Sequence, residues 1–166
     1  SQIDNDIYYL RNLDEAGKIK DKALKVNKIA IIGGGFIGLE IASSLNQLNK
    51  EVSVIEISKQ LMGRIIPTTI ANLVKAEHEK CGNKIYVDSK ISYIQKTHEG
   101  FKIILENETI IEAEIIIAGI GSIPSINLFN NSDLDLDNGI LTDEYCQTSI
   151  ENVYAAGDVT NFYHPF

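Results

Sequence analysis

The chain lacks the features of a secreted, membrane-bound or hydrolytic protein. It has only two cysteines, Cys81 and Cys146, far apart and without a C-x-x-C. That usage reads as reduced, structural thiols of a cytoplasmic protein, not as a disulfide framework. The opening residues Ser1 to Asp6 are polar and acidic, unlike a signal peptide. No apolar run reaches membrane-spanning length, since Ile110 to Gly121 is broken by Glu112 and Glu114. There is no basic run either: 23 Asp plus Glu face 15 Lys plus Arg, a net charge of −8. An acidic surface of this kind predicts neither nucleic acid nor membrane as a partner. His78, His98 and His164 show no ligand spacing, and His78 with Cys81 is a lone pair, so no metal is expected. Neither G-x-S-x-G nor G-x-x-x-x-G-K occurs, which argues against a nucleophile elbow and a triphosphate loop. No internal repeat or low-complexity tract is present.

What the chain does have is concentrated between Asn27 and Ile57. An apolar run, Ile29-Ala30-Ile31-Ile32, leads into Gly33-Gly34-Gly35-Phe36-Ile37-Gly38, then a helical pattern, then Val52-Ser53-Val54-Ile55-Glu56. This is the order of a dinucleotide fingerprint: strand, G-x-G-x-x-G, helix, second strand, acid. Gly33 allows the sharp turn, Gly35 allows close approach of a pyrophosphate, and Gly38 allows tight helix–strand packing. The helix mouth aims free N–H groups and a positive dipole end at the phosphates. Ile37, Ile41, Leu45 and Leu48 recur at helical spacing and are expected to face the sheet. Glu56 lies 23 residues after Gly33 (56 − 33), placed to accept hydrogen bonds from a ribose. Its charge would repel a 2′-phosphate, so NADH is expected to be favoured over NADPH, although Lys59 and Arg64 lie close by.

The rest of the chain reads as α/β: a Rossmann-like parallel sheet with crossover helices and an antiparallel meander. A short apolar piece and a helix are expected over 7–24, with acids Asp14 and Glu15 early and lysines late. A helix opens at Pro67 and stops before Gly82; a strand follows at 84–88. Three short strand patterns at 91–98, 101–106 and 109–112 are separated by Glu99-Gly100 and Asn107, which predicts the meander. The run 114–118 (EIIIA) returns as a buried strand. Beyond a Gly/Pro loop at 119–125, strand-like pieces are expected at 139–143 and 152–158.

Three motifs in order, GGGFIGLEIASSL…VIE at 33–56, EIIIAGIGSIP at 114–124 and GILTDEYCQTSIENVYAAGDV at 139–159, resemble the pyridine nucleotide–disulfide oxidoreductase superfamily. QLMGR at 60–64, Pro67 and His164-Pro165 are similar to its branch of ferredoxin and rubredoxin reductases and nitrite reductase flavin portions. The resemblance implies an NAD(H)-binding domain with a leading helix at 1–121 and a return segment into an incomplete FAD-binding domain at 122–166. It implies an enzyme in which hydride passes from NADH to FAD and on to a redox carrier protein or a small electron acceptor. The chain by itself would be inactive. Cofactor positions by resemblance are Gly33, Gly35, Phe36, Ile37, Gly38, Glu40, Glu56, Gly119, Gly121 and Asp158. Phe36 would cover the flavin, Glu40 would lie near the nicotinamide carboxamide, Gly119 and Gly121 along the bound cofactor, and Asp158 against FAD. No side chain is expected to act as acid or base. NADH oxidase or coenzyme A-disulfide reductase activity, and a stand-alone NAD-binding or sensing module, stay open as alternatives.

Overall fold

A computed structural model describes residues 7–63 and 65–163. Arg64 and His164-Pro165, used in the readings above, lie outside the described residues. The chain divides into two compact units, Ser1–Gly121 and Ser122–Phe166.

The first unit is a three-layer α/β domain. Its central sheet has five strands in the order β1-β8-β2-β3-β4, all parallel: β1 (Ile7–Tyr9), β2 (Lys28–Ile32), β3 (Glu51–Ile55), β4 (Lys84–Tyr86) and β8 (Ile115–Ala118). The crossovers are α1 (Leu13–Ala23), α2 (Phe36–Gln47) and α3 (Thr68–Lys80), followed by a meander of β5 (Ile91–Thr97), β6 (Gly100–Leu105) and β7 (Ile110–Ala113). The strands lack polar alternation because both sheet faces are covered. Ile29, Ile31, Val52, Val54, Ile115 and Ile117 pack with helix residues such as Ala23, Leu39, Ala42 and Leu45. Their neighbours of opposite parity, Ala30, Ile55 and Ile116, pack with Phe101, Ile103, Leu105, Ile111 and Ala113 of the meander. Strand period two therefore sorts one apolar run into two separate cores.

The crossover helix shows one departure from the expected pattern. Gly38, Ala42 and Leu45 form the centre of its buried stripe, with Leu39 and Ile41 beside them. Ile37 and Leu48 are exposed instead of facing the sheet. At 3.6 residues per turn Ile37 is about 100° around from Gly38, and Leu48 lies about 80° off the same line. The glycine, not an isoleucine, marks where helix meets strand.

Two polar devices hold the ends. Asn12 caps α1, its Oδ1 accepting from Glu15 N at 2.9 Å, while Glu15 Oε2 accepts from Arg11 N at 2.7 Å. At the start of β2, Glu114 Oε2 accepts from Asn27 N at 2.6 Å and Lys28 N at 2.8 Å. Those bonds, Lys28 first and Asn27 next, hold the Glu114 carboxyl below its ordinary range.

The second unit is small and loop-rich. Its parallel pair is β9 (Ile140–Leu141) with β10 (Thr160–Asn161), and a 3-10 turn spans Asn127–Phe129. The piece expected as a strand over 152–158 contributes only an isolated bridge, Gln147 to Tyr154; the strand falls later, at Thr160. That bridge consists of two main-chain bonds, Thr148 N to Val153 O at 3.0 Å and Ala155 N to Cys146 O at 3.0 Å, and the pairing goes no further. Cys81 and Cys146 are both free thiols, and both are exposed. No helix among the described residues is long and apolar enough to cross a membrane.

Candidate functional site

The β2–α2 junction is built from glycines that answer different demands. Gly33 has φ +108°, a region closed to most residues, and donates its N–H to Ile55 O at 2.8 Å. A Cβ there would collide with the carbonyl of Gly119, and one on Gly38 with the carbonyl of Gly33. Both positions are filled by the protein's own backbone. Gly35 differs: its φ of −81° suits any residue, and beyond its own residue and chain neighbours nothing lies within 4 Å of where its Cβ would be. Neither the fold's geometry nor its packing demands glycine there.

Gly35 is the N-cap of α2, and no side chain caps the helix. Helical bonding starts with Leu39 N to Gly35 O at 3.0 Å, so the N–H groups of Phe36, Ile37 and Gly38 have no acceptor within the helix. They form a donor cluster at the positive end of the helix dipole.

Glu56 follows β3 and turns back onto this loop. Its Oε2 accepts from Gly34 N at 2.6 Å and its Oε1 from Ser58 N at 2.7 Å. Each carboxylate oxygen has a second lone-pair direction left for another donor. Gly34, nominally a free position, is constrained as well: a Cβ would lie 2.6 Å from Leu61 Cδ2 and 3.0 Å from Glu56 Cβ. Met62 N donates to Gly34 O at 2.8 Å, tying the following loop to the glycine turn. Gln60 braces that loop, donating from Nε2 to Gly63 O at 2.7 Å and Ile66 O at 3.0 Å.

A cleft of about 610 Å³ opens over this junction. The glycine turn supplies Gly33 and Gly35, the β3 end supplies Glu56 and Ser58, and the β8 end supplies Gly119, Ile120 and Gly121. Ser89, Lys90 and Ile91, which follow β4, close the far side. All of these belong to the first unit. Of the sequence-derived candidates, Gly33, Gly35, Glu56, Gly119 and Gly121 share this cleft, while Gly38 supports it from behind. Phe36 and Ile37 sit on the first turn of α2, 49% and 50% exposed. Glu40 is exposed on the same helix, away from the cleft lining. Asp158 is exposed in a turn of the second unit closed by Thr160 N to Gly157 O at 3.0 Å. Among the described residues no group of His, Cys, Asp and Glu could hold a metal ion.

Ser58 and Lys90 line the cleft and Gly34 donates to Glu56 beside it, and the motif points to none of the three. The run of three consecutive glycines could have flagged Gly34; Ser58 and Lys90 carry no local signal.

The sheet order, the uncapped helix mouth and the acid after β3 define the three-layer α/β class that binds dinucleotides at a strand–glycine–helix turn. Residues 2–165 match the family described as pyridine nucleotide-disulphide oxidoreductase, and the chain belongs to that family. It is 35% identical over 162 residues to rubredoxin-NAD(+) reductase of Ectopseudomonas oleovorans, covering 96% of this chain and 42% of that one. It is 36% identical over 158 residues to the 3-phenylpropionate/cinnamic acid dioxygenase ferredoxin–NAD(+) reductase component of Photorhabdus laumondii, covering 95% and 40%. The crystal structure of the ferredoxin reductase for the CYP199A2 system of Rhodopseudomonas palustris superposes with a TM-score of 0.89 at 26% identity, covering 95% and 39%. The chain thus spans about two fifths of the length of these relatives.

Proposed function

We propose that the first unit is the NAD(H)-binding domain of a flavin-dependent oxidoreductase, and that 122–166 is a return segment into its FAD-binding domain. In the whole protein, bound NADH would supply hydride and FAD would accept it, with a ferredoxin- or rubredoxin-type carrier or a small molecule as the final acceptor. The relatives' names, reductases of ferredoxin and rubredoxin with NAD(+), support that assignment. The observation that carries the reading is the pairing of Gly35 with Glu56. One is a glycine with open space where its Cβ would be, and the other is a carboxylate held at the wall of the same cleft.

The residues fit the cofactor by charge and shape. The N–H groups of Phe36, Ile37 and Gly38 would hold the pyrophosphate, and Glu56 the ribose hydroxyls. Gly119 and Gly121 would leave room along the cofactor. Glu40 is proposed for the carboxamide, Phe36 for cover over the flavin and Asp158 for FAD. Nicotinamide supplies the hydride donor and flavin its acceptor, so the chain's own work is binding, orientation and exclusion of a 2′-phosphate. The chain alone is proposed to bind without turnover, in the cytoplasm.

Calorimetric titration of the 166-residue chain tests this. NADH should bind saturably and more tightly than NADPH; no binding, or equal binding of the two, contradicts the assignment. A second reading, a stand-alone NAD-binding module, draws on the fact that every residue of the cleft lining comes from the first unit. Visible absorbance of a longer form of the gene product separates them: a yellow protein bleached by NADH supports the oxidoreductase. NADH oxidase or coenzyme A-disulfide reductase activity is the variant within the first reading, resolved by which acceptor restores the colour.

A further inference from the structure

The dinucleotide cleft shares Ile57, Ser89 and Lys90 with a smaller recess of about 290 Å³ whose wall also includes Asp88 and Glu106. Lys90 is the one lysine lining the two, against the acids Glu56, Asp88 and Glu106. Main-chain bonds tie the two residues before Lys90 to the Glu56 segment: Ser89 N donates to Glu56 O at 3.0 Å, and Asp88 N donates to Ser58 O at 2.8 Å. The Lys90 ammonium is engaged. Its Nζ lies 2.6 Å from Glu106 Oε1, and Glu106 N donates to Lys90 O at 2.9 Å, so the pair is crossed at side chain and main chain alike.

We infer that Glu106 is a second determinant of cofactor choice, acting through Lys90. By holding the ammonium, it withholds from a 2′-phosphate a cation that lines the same cleft as Glu56. This rests on the cleft being the dinucleotide site. Glu56 disfavours the phosphate by charge, and Glu106 does so by keeping the compensating charge occupied. Glu106 is a positioning residue and need not touch cofactor. Both side chains are more than half exposed, which limits the strength of the pair. The expected effect is therefore a change of roughly three- to fivefold in relative affinity.

The test measures the ratio of NADPH to NADH dissociation constants by calorimetry for the wild-type chain, Glu106→Gln, Lys90→Met and the double variant. Glu106→Gln should lower the ratio roughly three- to fivefold, chiefly by tightening NADPH. In the Lys90→Met background the same substitution should leave the ratio unchanged. An unchanged ratio in Glu106→Gln overturns the proposal. So does an equal gain with and without Lys90, which would mark a diffuse charge effect or the participation of Lys59. Glu106→Ser, with a thermal melt on every variant, repeats the comparison should Glu106→Gln fold poorly. Failure of the wild-type chain to bind NADH would overturn the site assignment itself and is seen before any variant is made.

Discussion

Glu56 accepts the Gly34 amide at 2.6 Å, so the acid expected to hold a ribose also clamps the loop expected to hold the phosphates. The acid and the glycine turn are one mechanical unit, joined across the β2–β3 gap. Substitution at Glu56 consequently changes both partners.

Glu56→Gln sharpens this point. Both carboxylate oxygens take a main-chain N–H, from Gly34 and Ser58. An amide has one oxygen, so its NH₂ must face one of those donors. The expected result is a loss of about 1–3 kcal/mol in stability and roughly tenfold weaker NADH binding, with NADPH weakened less. Denaturant unfolding together with calorimetry measures both; an unchanged melt with only binding lost would mean that the clamp is dispensable.

The three fingerprint glycines should separate into two phenotypes. Gly35→Val places its side chain in open space and should abolish NADH binding with little loss of stability. Gly33→Ala and Gly38→Ala drive a Cβ into the Gly119 and Gly33 carbonyls respectively, and should lower the melting temperature outright. Gly35→Val that unfolds, or that binds NADH normally, would contradict the geometry.

Acid should weaken the fold in two stages. Burial lowers the pKa of His78 from its ordinary 6.5, and main-chain hydrogen bonds lower that of Glu114 from 4.5. In both cases the unfolded chain binds protons more readily than the folded one, so stability is full above the ordinary value and falls as pH drops below it. Glu114→Gln should be less stable than wild type at neutral pH, and the gap should close as pH falls below 4.5. Equal slopes for the two proteins on the acid limb of urea-midpoint curves would count against this role for Glu114.

Much of this architecture is legible in the residues because local and global signals agree. The apolar runs around Ile31, Val54 and Ile116 announce doubly covered strands, and Pro67 and Gly82 bracket α3, whose first residue is Thr68 with Pro67 as N-cap. Legibility fails where a residue's role depends on a distant partner. Ile37 follows the apolar spacing yet is exposed, since the stripe is centred on Gly38. Gly34 occupies a position the motif leaves free, and only the arrival of Leu61, 27 residues later (61 − 34), shows why it is small. Lys90 and Glu106 meet across the β5–β6 hairpin one step beyond the Ile91–Leu105 pair, after a register shift between Ile91 and Tyr93 that the turn at Glu99-Gly100 does not reveal. The strand expected at 152–158 is cut to the single Gln147–Tyr154 bridge, and the paired strand falls at Thr160–Asn161.

The most direct measurement is an amide NMR titration of the chain with NADH. The largest shifts should fall on the N–H groups of Gly35, Phe36, Ile37 and Gly38, with Glu56 and Gly119 to Gly121 following at the same dissociation constant. Saturable shifts centred elsewhere, with the α2 N-terminal amides unmoved, would contradict the site assignment.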